Sequence, residues 1–249
     1  MLLLCDDDGV CHPTMLAELL KATDRLDIIN ALVVASGNED VLAFDFMPKW
    51  PLMRLPARLS SVADVASYAK DGIVRNIASP FNGTLIKRNV VKAVGPVNPR
   101  MFIWGDEMDF IIRAHSIGVR IGTVMAARVQ HPRCVTTLRR VPFVGGVIIP
   151  ARPRALISWR NAGVLDRKIG KKLRGFIWAI RTTIILLLAR EPALALKMLP
   201  YYVDGYFNLF WLAPNGRKQM TAYHADCSTA VALLVPCTTG AAHNTKSAA

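Results

Sequence analysis

The sequence is poor in cysteine and holds no cysteine pair at metal-binding spacing. Its five cysteines are an odd number and none belongs to a C-x-x-C pair, so neither a disulfide framework nor a structural zinc site is indicated. A secretory signal is not visible, because the apolar start MLLLC is too short for one and acidic residues follow it at once. These absences favour a cytoplasmic protein.

Long uncharged runs and acidic residues are also scarce. The run from Thr182 to Ala189 is far shorter than the roughly 18 to 20 residues that a membrane-spanning helix needs. The 18 acidic residues are outnumbered by 31 basic ones, which gives a net charge of +13. This excess favours anionic partners, but it does not choose among nucleic acid, acidic lipid and nucleotide sugars.

What the chain does contain is an alternation of apolar runs and helical patterns. IINALVVA at 28–35 predicts a buried strand, FNGTLIKRNVVKAVG predicts a strand and then a helix, and RIGTVMAARVQH predicts two short strands that end at His131. Strands that alternate with helices predict an α/β domain with a mostly parallel sheet over residues 1–150. A helical, apolar appendage is predicted over 151–210 and a disordered tail over 211–249.

Three carboxylates, Asp6, Asp7 and Asp8, follow directly on the first apolar run. Because successive residues of an extended chain point to opposite faces, Asp6 and Asp8 are expected on one side and Asp7 on the other. Two carboxylates at the end of a strand suit a hard divalent ion such as Mg²⁺ or Mn²⁺. The alternative is a solvated acidic turn or a helix cap.

A second acidic group lies in WGDEMDF. Asp106 is expected to cap a helix that ends at Gly118, and the helix dipole alone favours acidic residues in a first turn. A functional interpretation makes Glu107 a general base that takes a proton from a hydroxyl. His131 is either a surface histidine or, since neutral imidazole binds Mn²⁺, a third metal ligand.

The order of these motifs resembles that in the inverting glycosyltransferases of family 2, which have the GT-A fold. The resemblance is strongest to the galactofuranosyl- and rhamnosyltransferase-like members of that family. The resemblance rests on DDD after the first strand, then FNGTLIKR, then FIWGDEMDFIIRAHSIG, then a strand that ends in VQHP. The run Trp159-Arg160-Asn161 also resembles an Arg-Asn element near the start of the family's C-terminal helices. The similarity covers roughly residues 1 to 210.

The resemblance implies an active site and its reaction. Asp6, Asp8 and His131 would hold Mn²⁺ or Mg²⁺, Glu107 or Asp106 would act as the base, and the donor or acceptor would contact Asp7, Asn82, Gly83, Trp104 and Asp109. A sugar would pass, with inversion, from a nucleoside-diphosphate donor to a hydroxyl of a lipid-linked or polysaccharide acceptor. The enzyme would work at the inner face of the cell membrane, with a peripheral membrane contact and without nucleic acid.

Two alternatives stay open. Family members carry a β-α-β segment before the acidic motif, which binds the nucleotide base and ribose, so the resemblance implies an N-terminally truncated domain. The first alternative is that this truncated domain is an inactive remnant. The other alternative is a basic lipid- or nucleic-acid-binding protein that uses RKIGKKLR at 167–174. A site for polyanions, however, would not hold two acidic groups without a metal to offset them.

Overall fold

The computed structural model describes residues 1–46, 52, 55–79, 81–102, 104–133, 136–150, 154–212 and 233–234. The strands are β1 (Leu2–Leu4), β2 (Val10–Cys11), β3 (Ile28–Ala35), β4 (Asn38–Phe46), β5 (Leu59–Ser61), β6 (Ile73–Arg75), β7 (Thr84–Ile86), β8 (Ile121–His131), β9 (Thr136–Val141), β10 (Gly145–Pro150) and β11 (Leu233–Leu234). The helices are α1 (Met15–Lys21), α2 (Val62–Ala66), α3 (Arg88–Val94), α4 (Asp106–Ser116), α5 (Arg154–Lys168), α6 (Lys172–Leu188) and α7 (Pro192–Tyr206).

The centre of the main sheet is β3, the run that was predicted as a buried strand. All eight of its residues are buried, as its uninterrupted apolar composition requires of a strand covered on both faces. It pairs with β7, β4 and β8. The path through the sheet runs β11-β1-β7-β3-β4-β5, and β8 also pairs with β2 and β6.

The predicted α/β class is confirmed, whereas the expected mostly parallel sheet has to be corrected. Among the strand pairs of the described residues, β3 with β8 is parallel, and the others are antiparallel. Strands joined by a short turn, such as β3 and β4 around Gly37, can only run antiparallel. RIGTVMAARVQH forms one strand, β8, whose register shifts opposite Ala31 and Leu32, instead of two short strands.

The predicted helices of the C-terminal part are present as α5, α6 and α7, and they share an apolar core with the hairpin of β9 and β10. Trp159, Met198 and Tyr202 are buried in that core beside Val147 and Ile149 of β10. The domain boundary at residue 150 stays a prediction. No helix in the described part of the chain has the length and apolarity that crossing a membrane requires.

The tail predicted to be disordered falls mostly outside the described residues, which beyond 212 are limited to 233–234. Leu233 and Leu234 form β11, which pairs antiparallel with β1.

Candidate active site

The acidic turn after β1 is brought to His131 by a pairing between distant strands. After Asp8 the chain forms β2, in which Val10 pairs with Gln130 and Cys11 with Val129 of β8. This short ladder places the turn beside the last residue of β8. The ligand atoms of Asp6, Asp8 and His131 all lie within 4.8 Å of one another, and Asp7 lies outside this cluster and is exposed.

The ring of His131 is oriented so that one nitrogen faces the carboxylates. Its Nε2 lies 2.8 Å from Asp8 Oδ1 and 3.8 Å from Asp6 Oδ2. Its Nδ1 lies 2.7 Å from the carbonyl oxygen of Pro132, and since a carbonyl only accepts, Nδ1 carries the proton. Nε2 faces the two carboxylates, and in a neutral ring it would be the nitrogen that is free to bind a metal ion. Two carboxylate oxygens and one such nitrogen form a donor set that fits Mn²⁺.

Asp6 links the acidic turn to a buried amide. Burial raises the pKa of Asp6, although the neighbouring His131 and a hydrogen bond from Asn82 oppose the rise. Asn82 is only 8% exposed, and its side-chain oxygen has no hydrogen-bond partner among the described residues. A buried unpaired acceptor is costly, so this oxygen is suited to receive a hydroxyl of a bound ligand.

The turn that carries Asn82 is fixed by a chain of buried hydrogen bonds. The backbone N–H of Phe81 donates to Thr84 Oγ1 over 2.8 Å, and that hydroxyl donates to Asn30 Oδ1 over 2.9 Å. Gly83 has φ +70°, and a side chain there would meet Val129 Cγ2 at 2.6 Å. Gly83 thus permits the close approach of the turn to β8 and is not among the cavity-lining residues.

The second acidic group begins α4, and its helix starts at Asp106 with Gly105 in the N-cap position. The expectation that Asp106 itself caps the helix is therefore corrected by one residue. The backbone N–H of Gly105 donates to Glu107 Oε2 over 2.9 Å. Burial, together with a hydrogen bond and charge repulsion from Asp106, raises the pKa of Glu107 to about 8. A carboxylate with a pKa near neutrality is suited to acid–base chemistry.

The loop before α4 is held by two side chains of α5, the Arg160 and Asn161 of the Arg-Asn element. Asn161 Nδ2 donates to the carbonyl oxygens of Met101 (2.8 Å) and Trp104 (2.9 Å). Arg160 Nη2 donates to the carbonyl oxygen of Arg100 over 3.1 Å. Both side chains are buried. This element therefore positions Trp104 and the start of α4.

Asp109 differs from its neighbours in the acidic group. Its residue is fully buried, and its carboxylate is paired with Arg113 Nε at 2.9 Å and with Lys168 Nζ. It is absent from the described residues that line the cavity. Asp109 thus joins α4 to α5, and its predicted contact with the donor or acceptor stays a prediction.

One cavity of about 950 Å³ brings most of the predicted site residues together. Its walls include Asp6, Asn82, Trp104, Asp106 and Glu107. Asp6 belongs to both the cavity wall and the cluster with His131, so the two acidic groups of the sequence meet at one place.

The cavity also contains three charged residues that the sequence analysis missed. They are Asp45 of β4, Arg58 before β5 and Arg133 just after β8. Each is a single charge in an apolar or proline-rich stretch, and no sequence spacing connects the three. The sequence offered one indication, a carboxylate within the apolar strand VLAFDF.

A mixed α/β fold with these acidic groups at one cavity is consistent with a glycosyltransferase domain. The chain is 32% identical over 169 residues to galactofuranosyltransferase GlfT1 of Mycolicibacterium smegmatis, a match that covers 65% of this chain and 54% of that protein. It is 26% identical over 195 residues to proteins of the same name in two strains of Mycobacterium tuberculosis, covering 76% of this chain and 62% of theirs. No protein-family model matches the chain.

These relatives confirm the resemblance to galactofuranosyltransferase-like glycosyltransferases, and the chain is related to them. The chain spans a little more than half the length of the relatives it matches.

Proposed function

We propose that this chain carries the catalytic site of a glycosyltransferase that moves a galactofuranosyl residue from a nucleoside-diphosphate donor to a hydroxyl of a lipid-linked or polysaccharide acceptor, with inversion. The observation that carries this proposal is the shared cavity, in which Asp6 of the Asp6–Asp8–His131 cluster and the acid pair Asp106 and Glu107 line the same space. The names of the relatives supply the sugar.

Glu107 is the proposed base. Gly105 N–H donates to its Oε2, and Asp106 shares a hydrogen bond with its carboxyl group. The raised pKa makes the ionised carboxylate a stronger base than an ordinary glutamate, so it accepts the hydroxyl proton as the acceptor oxygen attacks the anomeric carbon. Asp106, beside it, contributes to the raised pKa and is the alternative base.

Asp6, Asp8 and His131 are the residues that would hold Mn²⁺ or Mg²⁺. When bound, such an ion supplies Lewis-acid stabilisation of the departing diphosphate. The other contacts come from the walls of the cavity. The free side-chain oxygen of Asn82 accepts a substrate hydroxyl, and the indole of Trp104 offers a flat apolar face to a sugar ring.

The test combines metal binding with sugar transfer. Mn²⁺ is titrated into the chain by electron paramagnetic resonance, and transfer is assayed with a nucleoside-diphosphate galactofuranose and a lipid-tailed sugar acceptor. Asp8→Ala should weaken Mn²⁺ binding by at least the roughly 10- to 100-fold that loss of a ligand's hydrogen-bonding partner costs. Asp40→Ala, at an exposed site of β4, should bind and transfer like the unchanged chain.

The outcomes separate the proposal from the alternatives. Mn²⁺ binding that depends on Asp8, without transfer, would favour the inactive remnant. Absence of both would contradict the proposed function. Binding of nucleic acid that ignores Asp8→Ala and falls steeply with salt would favour the basic binding protein.

One surface favours a peripheral membrane contact and with it a location at the inner membrane face. Along α6 a single stripe of large apolar side chains is exposed, formed by Leu173, Ile177, Ile180, Ile184 and Leu187. Arg174 and Arg181, which are seven residues apart on α6, are exposed beside this apolar stripe. An apolar stripe with a basic flank suits the surface of an acidic bilayer.

Vesicle binding tests this surface. The chain should sediment with vesicles of anionic phospholipid and less so with zwitterionic ones, and Ile180→Glu should reduce the bound fraction. Ile117→Glu, which changes an exposed apolar residue after α4, is the matched control. Equal loss in both variants, or a concentration-dependent dimer that Ile180→Glu abolishes, would contradict the membrane contact.

A further inference from the structure

The cavity has a basic wall that the proposed reaction does not use. Arg58 and Arg133 both line it, and both contact the carboxylate of Asp45 on β4. Arg58 Nη2 reaches Asp45 Oδ2, and Arg133 Nη2 lies 3.5 Å from Oδ1. Each carboxylate oxygen therefore positions one guanidinium.

The charges of this wall do not cancel. Asp45 supplies one negative charge to two positive ones, and its side chain is mostly buried whereas those of Arg58 and Arg133 are about half exposed, at 44% and 50%. A guanidinium has five N–H donors, and Asp45 engages one nitrogen of each. The arrangement holds the two cations in place and leaves donors for a ligand.

A different arginine of the same chain has a similar ion pair and a similar exposure but lies away from the cavity. Arg139 of β9 pairs with Glu191 at 3.1 Å, with side-chain exposures of 43% and 15% that resemble those of Arg58 and Asp45. Neither residue of that pair is among the described residues that line the cavity. Arg139 is therefore a matched arginine outside the cavity.

The same cavity is also lined by the acids Asp6, Asp106 and Glu107. A ligand that occupies it can therefore place an anionic group at the arginines and hydroxyl groups at the acids. Planar guanidinium groups in a fixed position match the oxygens of a phosphate, to which they donate paired hydrogen bonds.

We infer that Arg58 and Arg133, held by Asp45, bind a phosphate group of a substrate. This inference rests on the proposed glycosyltransferase function and adds a binding site to it. Two sources share this chemistry: the diphosphate of the sugar donor, and the phosphate of a lipid-linked acceptor. Arg133 lies only two residues after His131 in the chain.

The experiment measures the affinity of two probes by isothermal titration calorimetry in the presence of Mn²⁺: uridine diphosphate for the donor side and an isoprenyl phosphate for the acceptor side. The variants are Arg58→Gln and Arg133→Gln, with Arg139→Gln as the matched control. Each variant at the basic wall should weaken one of the probes by roughly 10- to 100-fold, the effect of losing hydrogen bonds to a charged group. The control should bind both probes like the unchanged chain.

The pattern of loss identifies the source. Weaker binding of uridine diphosphate alone assigns the site to the donor, and weaker binding of the isoprenyl phosphate alone assigns it to the acceptor. Arg133→Lys keeps a cation beside Asp45 but loses the planar guanidinium group, so it should show an intermediate loss of probe affinity. It replaces Arg133→Gln in the experiment if that variant does not fold.

Failure of this inference can be distinguished from failure of the proposed function. If the unchanged chain transfers sugar while the arginine variants bind both probes normally, the basic wall is structural and the proposed function stands. If the unchanged chain neither transfers sugar nor binds either probe, both proposals are wrong.

Discussion

Glu107 and Asp109 stand two residues apart in the first turn of α4, yet their carboxylates have opposite surroundings. Glu107 lines the cavity, receives one backbone N–H and has another acid, Asp106, as its neighbour. Asp109 is fully buried and is paired with two cations, Arg113 and Lys168. The same short motif therefore supplies one acid to the cavity and one to the packing of the helices.

The difference shows which acids of this chain are available for chemistry. Asp27, directly before β3, resembles Asp109, because hydrogen bonds from Arg120 and Lys87 hold the pKa of its carboxyl well below the usual range. Glu107 shows the reverse, since burial beside Asp106 disfavours its charge. A carboxylate tied to cations stabilises the fold, whereas one left with an acidic neighbour is able to exchange a proton near neutral pH.

The largest effect is expected from Glu107→Gln. If Glu107 is the base, sugar transfer should fall about 100- to 10,000-fold, which is the usual contribution of a positioned base. Mn²⁺ affinity should not change, because the cluster of Asp6, Asp8 and His131 is untouched. Transfer rate and metal binding are measured on the same preparation.

Glu18→Gln is the matched control for this change, since Glu18 lies in α1 and pairs with the exposed Lys21. It should leave transfer unaltered. A Glu107→Gln variant that retains full activity would remove the distinction drawn between the two acids of α4 and would direct attention to Asp106.

Asp109→Asn should show the opposite pattern, with lower stability and little change in transfer per folded molecule. Removing the charge leaves Arg113 and Lys168 without their shared carboxylate. Fully buried pairs cost roughly 3–5 kcal/mol when broken this way. Lys168 is 37% exposed and can be rehydrated, so we expect about 2–3 kcal/mol, measured by urea unfolding.

The surface pair of Arg25 and Asp71 provides the comparison. Asp71→Asn should alter the free energy of unfolding by less than about 1 kcal/mol, because exposed ion pairs contribute little. If Asp109→Asn were as mild as Asp71→Asn, the buried acid would not be a structural connection between α4 and α5.

Local patterns were sufficient for the parts of the fold that depend on short-range chemistry. The apolar run of β3 identified a buried strand, and alternation along an extended chain separated Asp6 and Asp8 from Asp7. Whether neighbouring strands run parallel or antiparallel could not be predicted from such local patterns. It depends on which distant segments pair, and the contact of β2 with β8 joins residues more than one hundred positions apart.

The same limit applies to the candidate site. A role at the site was predicted for both Glu107 and Asp109, because the side chain that distinguishes them, Lys168, lies 59 residues beyond Asp109 in the chain. Arg58 and Arg133 were missed because only the folded chain brings them to Asp45. Acidic clusters can be recognised in a sequence. The sequence does not show which of these acids form ion pairs with distant arginine or lysine residues.

The pH dependence of sugar transfer tests the difference between Glu107 and Asp109 through the smallest expected effect. The pKa of Glu107 is about 8 in the folded chain, against an ordinary value of 4.5. The ionised base becomes more abundant as pH rises, so transfer should increase about tenfold per pH unit below 8 and level off above it. Transfer rates at saturating substrate from about pH 6 to about pH 9 measure this.

Folding stability should move in the other direction over the same range. Between pH 4.5 and about 8 the folded chain retains a proton on Glu107 that the unfolded chain has lost, so stability falls as pH rises through that window. Glu107→Gln should remove both dependences, and Asp109→Asn should keep both. A rate profile of the unchanged chain that is flat across this range would mean that the acid in the cavity does not act as the base, even though its carboxylate is free of the cations that occupy Asp109.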